Sequence, residues 1–257
     1  MTLNIANNTP SGSIANPDYW TPPFSLEGCV YAGLYHLDDL TKDLSGNGVT
    51  VTQVGDTVRD GVFPRFHSGN FKLTTDLIIP AADSISTVCL YKKDTAVTGD
   101  VVNGRGYLWS ARDGAHNGFS LAMEGAATNP GFVAASRSTA DTPTTSTQAR
   151  GAITSASSGW AITGSDAYFA ADGTTATLTM RDLLAGTSVN GTAAGKTAWD
   201  PQTSGIAIGG NPVNQPTTTT QVTIAAVLIY NRVLAAYEYT DILAYFRQYM
   251  LNRGIVI

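Results

Sequence analysis

The chain has 257 residues, a mass of 26.9 kDa and a formal net charge of −5. It is 43% hydrophobic but only 14% charged, against about 25% in an ordinary globular protein. Its bases are scattered and no stretch approaches about 18 apolar residues, so we expect no nucleic-acid partner and no membrane span.

The length suits one large domain that folds without a disulfide or a metal. Glu and Lys are scarce, whereas Gly, Ser, Thr and Ala abound, which favours strands and turns over a helical bundle. Residues 1–25 hold five Asn or Asp, four Pro and no Lys or Arg. Pro10, Pro17, Pro22 and Pro23 block regular pairing, so this segment reads as an extended arm. Pro10, Pro17, Tyr19, Trp20 and Pro22 are its candidate partner-binding residues. The first ten residues lack a basic segment followed by an apolar one, so a secretory signal peptide is not expected.

The folded domain is expected over 26–257. Short strand-like runs follow at roughly ten-residue spacing. They are 30–35, 49–54, 71–74, 76–80, 86–91, 107–111, 118–123, 131–135, 160–163, 166–170, 176–180, 205–209 and 222–230. This spacing argues for an antiparallel sandwich. Residues 136–159 and 217–220 are rich in Ser, Thr and Ala and read as exposed loops or ragged edge strands. Cys29 and Cys89 sit in strand-like sequence and read as buried thiols. Tyr239, Ile242, Leu243, Phe246, Tyr249 and Met250 recur at helical spacing, which predicts a helix over 238–252 closed by Gly254 and packed on the sandwich.

Five segments carry a family resemblance in order. They are Gly33–Leu37 with the Asp43-Leu-Ser-Gly-Asn-Gly48 turn, Arg65–Leu73, Ile85–Lys92, Ile206-Ala-Ile-Gly-Gly210, and Ile224–Leu234 with Glu238. Together they resemble the concanavalin A-like, laminin-G-like jelly roll found in many extracellular and phage proteins. The last segment, with Tyr230-Asn-Arg232 before Leu234, is the most specific. The resemblance covers about residues 28–250 and implies an all-β, two-sheet antiparallel jelly-roll sandwich. The N-terminal arm and the long aromatic C-terminal helix depart from it. Ala235-Ala-Tyr237 also replaces the family's Ser-containing cap.

The residues offer little chemistry. Glycosidases on this scaffold pair two acids on one strand. Here the glutamates are Glu27, Glu124 and Glu238, and none has an acid two or four residues away in a strand. His36, His67 and His116 have no metal-ligand spacing and read as structural. No catalytic residue is nominated and no cofactor is expected. The one metal candidate is the calcium that the family often holds at the sandwich rim, here through Asp113 or Asp172. Each of these also precedes Gly, as in a plain hairpin turn. For glycans, an aromatic face stacks on the sugar while polar groups bond its hydroxyls. Trp199, Trp109, Arg112 and Asn211 are the candidates, with Trp199 the best placed in a loop; Trp160 resembles the family's core tryptophan.

Three functions compete. The first is a structural and adhesive virion protein, a capsid decoration or tail-associated module. Its arm would anchor it to other virion subunits or to copies of itself, and its sandwich would face host glycans. The second is a free lectin-like module, cytoplasmic or exported without a classical signal. The third is an enzyme acting on polysaccharide or protein.

Overall fold

The computed structural model describes residues 20–67, 70–80, 84–92, 106–111, 118–124, 129–137, 145–150, 156, 158–199, 202, 204–212 and 221–257. Among them sixteen strands and one helix follow in chain order. The first eight strands are β1 (Cys29–Leu34), β2 (Val51–Val54), β3 (Val58–Asp60), β4 (Phe63–His67), β5 (Lys72–Thr75), β6 (Ile85–Lys92), β7 (Gly106–Ser110) and β8 (Phe119–Glu124). Next come β9 (Asn129–Arg137), β10 (Thr145–Arg150), β11 (Trp160–Phe169), β12 (Thr175–Asp182), β13 (Thr187–Ala194), β14 (Ala198–Trp199), β15 (Ala207–Ile208), β16 (Gln221–Tyr230) and the helix α1 (Ala236–Leu251).

The strands form two antiparallel sheets, as the sequence predicts. Sheet A runs β13-β12-β11-β6-β16-β4-β3, with β1 also beside β16. Sheet B runs β10-β9-β8-β7-β15-β5-β2, with β14 beside β9. The long β16 serves two neighbours on one side: residues 221–223 pair with β4 and residues 226–230 with β1.

Two apolar layers follow from strand alternation. Tyr31, Phe66, Leu73, Cys89, Tyr91, Trp109, Leu121, Leu178, Ile208 and Ile229 pack between the sheets. Trp20, Phe24, Phe63, Val88, Leu90, Trp160, Leu228, Ile242, Phe246 and Met250 pack between sheet A and the helix. Thus Val88 and Leu90 of β6 face the helix, while Cys89 and Tyr91 face sheet B. A strand covered on both faces is apolar at consecutive positions, which explains the unbroken runs Val88–Tyr91 in β6 and Ile224–Tyr230 in β16.

The helix begins at Ala236, two residues before the predicted start. Ala235 has no hydroxyl to cap it, but its N–H donates to Glu238 Oε2 at 2.8 Å. That contact draws Glu238 into the first turn. Gly254, at φ 72°, closes the other end: its N–H bonds Leu251 O, and Ile255 N–H returns to Met250 O.

Several details differ from the sequence reading. Residues 160–163 and 166–169 belong to one strand, β11, rather than two. Residues 76–80 form no strand. Leu77 N–H is taken by Thr75 Oγ1 and Ile79 N–H by Gln202 Oε1, and Pro80 has no N–H to give. β3, β13 and β14 were not expected. β13 is polar at alternate exposed positions and carries no apolar pattern to detect.

Residues 20–25 are not a free arm. Trp20 and Phe24 are buried, and Trp20 Nε1 donates to Tyr245 Oη at 3.0 Å. Pro22 is half-buried beside them. The Trp20 and Phe24 side chains are therefore spent on their own helix rather than on a partner. Pro10, Pro17 and Tyr19 lie outside the described residues.

The Asp43 turn is a latch on β1. Asp43 Oδ1 accepts from Ala32 and Ser45 N–H, Oδ2 accepts from Ser45 Oγ and Val49 N–H, and Asn47 Nδ2 donates to Cys29 O.

Candidate functional site

A groove of about 860 Å³ opens where four pieces of chain meet on the outer side of sheet A. This volume falls within the range of small-ligand sites. Asp60 ends β3, and the two-residue turn Gly61-Val62 leads to Phe63. Lys92 ends β6 opposite Trp160, which opens β11. Ser158 precedes that strand, and Asn252–Val256 follow the helix.

Phe63 and Trp160 make the apolar floor, edge to face with centroids 5.0 Å apart. Val62 and Val256 are exposed at the rim. Ser158 Oγ donates to Val256 O at 2.8 Å and fastens the tail across the groove.

The polar groups are few and charged. Lys92 Nζ donates to Asp60 Oδ2 at 2.7 Å, and Arg65 stands 3.7 Å from the same oxygen. The Lys92 hydrogen bond, with the two positive charges, holds the Asp60 carboxyl below its ordinary range. The Arg253 guanidinium lies 3.8 Å from the centre of the Tyr249 ring and donates to the Tyr249 carbonyl. Burial lowers its pKa from the ordinary arginine value. Lys92 and Arg253 thus outnumber Asp60 among the charged lining residues.

Such a lining can bond hydroxyls through the carboxylate, ammonium and Ser158, and can rest an apolar face on the valines. Among the described residues it holds one carboxylate, where glycoside hydrolysis uses two. A smaller cleft of about 190 Å³ lies beside Arg181, Tyr239 and Leu243. Arg181 there is bound through Nε and Nη2 to the fully buried Asp166. Ser86 and Tyr239 hydroxyls also donate to that carboxylate. This is a structural knot: Gly164, whose Cβ would sit 2.7 Å from the Tyr239 ring, leaves room for it.

The sequence-predicted glycan residues do not meet in the groove. Trp109 and Trp199 are fully buried between the sheets and offer no face to a sugar. Trp109 Nε1 donates to Thr87, and Trp199 packs on Phe119 and Phe169. Both are core residues because the β7 and β14 backbones turn them inward, which sequence spacing did not reveal for Trp199. Trp160 is a core tryptophan, as expected. Asn211 is buried and its carbonyl accepts from Lys72. Asp172 spends its carboxylate on its own hairpin, accepting from Thr174 and Thr175 N–H and Thr175 Oγ1. This is the plain-turn alternative, and no group of three metal-ligating side chains occurs among the described residues. Arg112 and Asp113 lie outside them.

Asp60, Lys92 and Arg253 were not nominated. Asp60-Gly61 signals a turn and Lys92 belongs to the densest basic pair, but nothing in the sequence joins positions so far apart.

No family model and no curated protein sequence matches the chain. Solved structures do. The binding domain of Paraclostridial mosquitocidal protein 1 superposes with a TM-score of 0.59 at 14% identity, over 88% of this chain and 53% of that one. The structure describing cell entry of botulinum neurotoxin type C as dependent on two ganglioside molecules gives 0.55 at 13%, over 85% and 51%. A Trypanosoma rangeli sialidase with 2,3-difluorosialic acid gives 0.54 at 16%, over 88% and 35%. The chain spans about half the length of the toxin domains it matches. At these identities the likeness establishes a shared fold alone, a two-sheet antiparallel β-sandwich.

Proposed function

We propose that this chain is a non-enzymatic binding module that contacts glycans through the groove at Asp60, Lys92 and Arg253. The observation that carries this reading is the groove itself: an aromatic floor, aliphatic rim and mixed hydrogen-bonding groups, with one carboxylate among its described residues. The fold it shares with toxin binding domains supports it. A glycan array probed with the full chain, followed by titration of each hit, tests it. Lys92→Ala and Asp60→Ala should each weaken binding at least tenfold. A silent array, or hits unaffected by both changes, would sink the reading.

The setting we propose is a virion surface, with the sandwich outward and residues 1–19 holding a neighbouring subunit. The composition of that segment, with Pro10, Pro17, five Asn or Asp and no Lys or Arg, supports it. Light scattering should show an assembly with the full chain that is lost on deleting 1–19. Identical monomers would remove the anchoring role.

A further inference from the structure

Strand alternation collects charge on the outer side of sheet A. Phe63 and Leu90 face the helix layer there, so Arg65 in β4 and Lys92 in β6 face the same way. β3 brings in Asp60, which pairs with Phe63, and the segment after the helix brings in Arg253. Three cations thus gather at a groove with one described acid, in a chain whose net charge is −5. That acid is already committed: Asp60 Oδ2 is shared between Lys92 at 2.7 Å and Arg65 at 3.7 Å. One carboxylate offsets one of these charges, which leaves the groove with an excess of positive charge.

These charges can be reached from solvent. The Lys92 and Arg65 side chains each keep 33% exposure. The groove lined by Lys92 and Arg253 opens between rim valines, Val62 and Val256, that are 50% and 68% exposed.

Arg253 is held in a fixed pose. Its guanidinium lies over the Tyr249 ring and donates to the Tyr249 carbonyl. Tyr249 is itself anchored: its hydroxyl shares a 2.7 Å hydrogen bond with His36 Nδ1, and its ring packs on Phe63 with centroids 6.3 Å apart. Phe63 in turn stands edge-on to Trp160. A planar guanidinium stacked in this way meets a carboxylate or sulfate without the full entropy cost of ordering a loose side chain. Lys92, held by Asp60, adds a second positive charge from across the groove.

We propose that the groove selects acidic saccharides, with Arg253 and Lys92 meeting the carboxylate or sulfate and the valine rim meeting the sugar ring. The saccharide class rests on the glycan-binding reading; the preference for an anion rests on the charges.

The test is calorimetric titration of the full chain with a uronic-acid oligosaccharide, a sulfated oligosaccharide, a neutral one of equal length, and sodium sulfate. The expected result is at least tenfold tighter binding of one acidic oligosaccharide than of the neutral one. Equal affinities would overturn the acidic preference and leave the glycan reading of the groove standing. Binding of none of the four overturns the proposal, and the glycan array then decides the groove reading by itself. Sodium sulfate that binds as tightly as the acidic oligosaccharide overturns the saccharide class. Two rim variants place the anion. Val62→Glu and Val62→Gln have nearly the same shape, differ in charge and sit at an exposed position, so both should fold. Val62→Glu should bind the acidic oligosaccharide at least threefold more weakly than Val62→Gln, with no such gap for the neutral one. Equal acidic affinities in the two would show that the anion lies elsewhere and overturn the site. Arg253→Lys keeps the charge but loses the planar fork, and should weaken acidic binding about tenfold; wild-type affinity there would overturn the part assigned to Arg253.

Discussion

At Glu238, two carboxylate oxygens meet three donors. Arg232 Nη1 and Ala235 N–H converge on Oε2, and Arg232 Nη2 on Oε1. The pair joins the end of β16 to the first turn of α1, and Glu238 keeps only 5% exposure. The hydrogen bonds from Arg232 hold its carboxyl below the ordinary 4.5. A depressed carboxylate stabilises the fold above the unfolded value and loses that contribution as pH falls through the folded one. Glu238→Gln should therefore cost about 2–3 kcal/mol at pH 7, since Arg232 loses its counter-charge. Denaturant titrations should show the gap to wild type closing below about pH 4; a gap that stays constant to pH 3 would count against the pair. Arg232 and Glu238 were legible in the sequence, because both belong to the closing motif. Arg253 was not, since its meaning depends on Asp60 and Lys92, far from it in sequence.

The helix and the segment before β1 form one unit on the back of sheet A. Their contact is aromatic: Trp20 and Phe24 stand edge-on to Tyr245, with centroids 6.3 and 5.3 Å away. The boundary between arm and domain therefore falls no later than Trp20. Proline content had placed it after residue 25. Composition marks where regular pairing stops, but it does not report whether an irregular segment is packed. Trp20→Ala should lower stability by about 3 kcal/mol, as expected for a buried aromatic truncation. Deleting residues 1–19 should leave the melting temperature unchanged, and a scanning calorimetry trace of each variant decides. A Trp20→Ala protein that melts with wild type would show that Trp20 contributes no packing.

Over the whole molecule, sheet A is the shared wall of two cores, and the thiols divide between them. Cys29 faces the helix layer and Cys89 the layer between the sheets. A disulfide cannot cross the sheet. Burial pushes the Cys29 thiol up to about 12 and Cys89 higher still. Native protein at pH 8 should react with a thiol reagent at neither cysteine, and unfolded protein at both. A reductant should not move the melting temperature; a drop would reveal a bridge.

The sequence by itself determined the sandwich, the terminal helix with its buried stripe and Gly254 stop, and the turn over Asp43–Gly48. Each is local: alternation, helical periodicity and turn chemistry act over a few residues. Tertiary structure alone decided that Trp109 and Trp199 are core, that residues 20–25 belong to the domain, and where charged groups gather. Asp60, Lys92 and Arg253 are brought together by strand pairing and by the helix laying its tail across the sheet. Pairing between distant strands, not spacing along the chain, sets those distances.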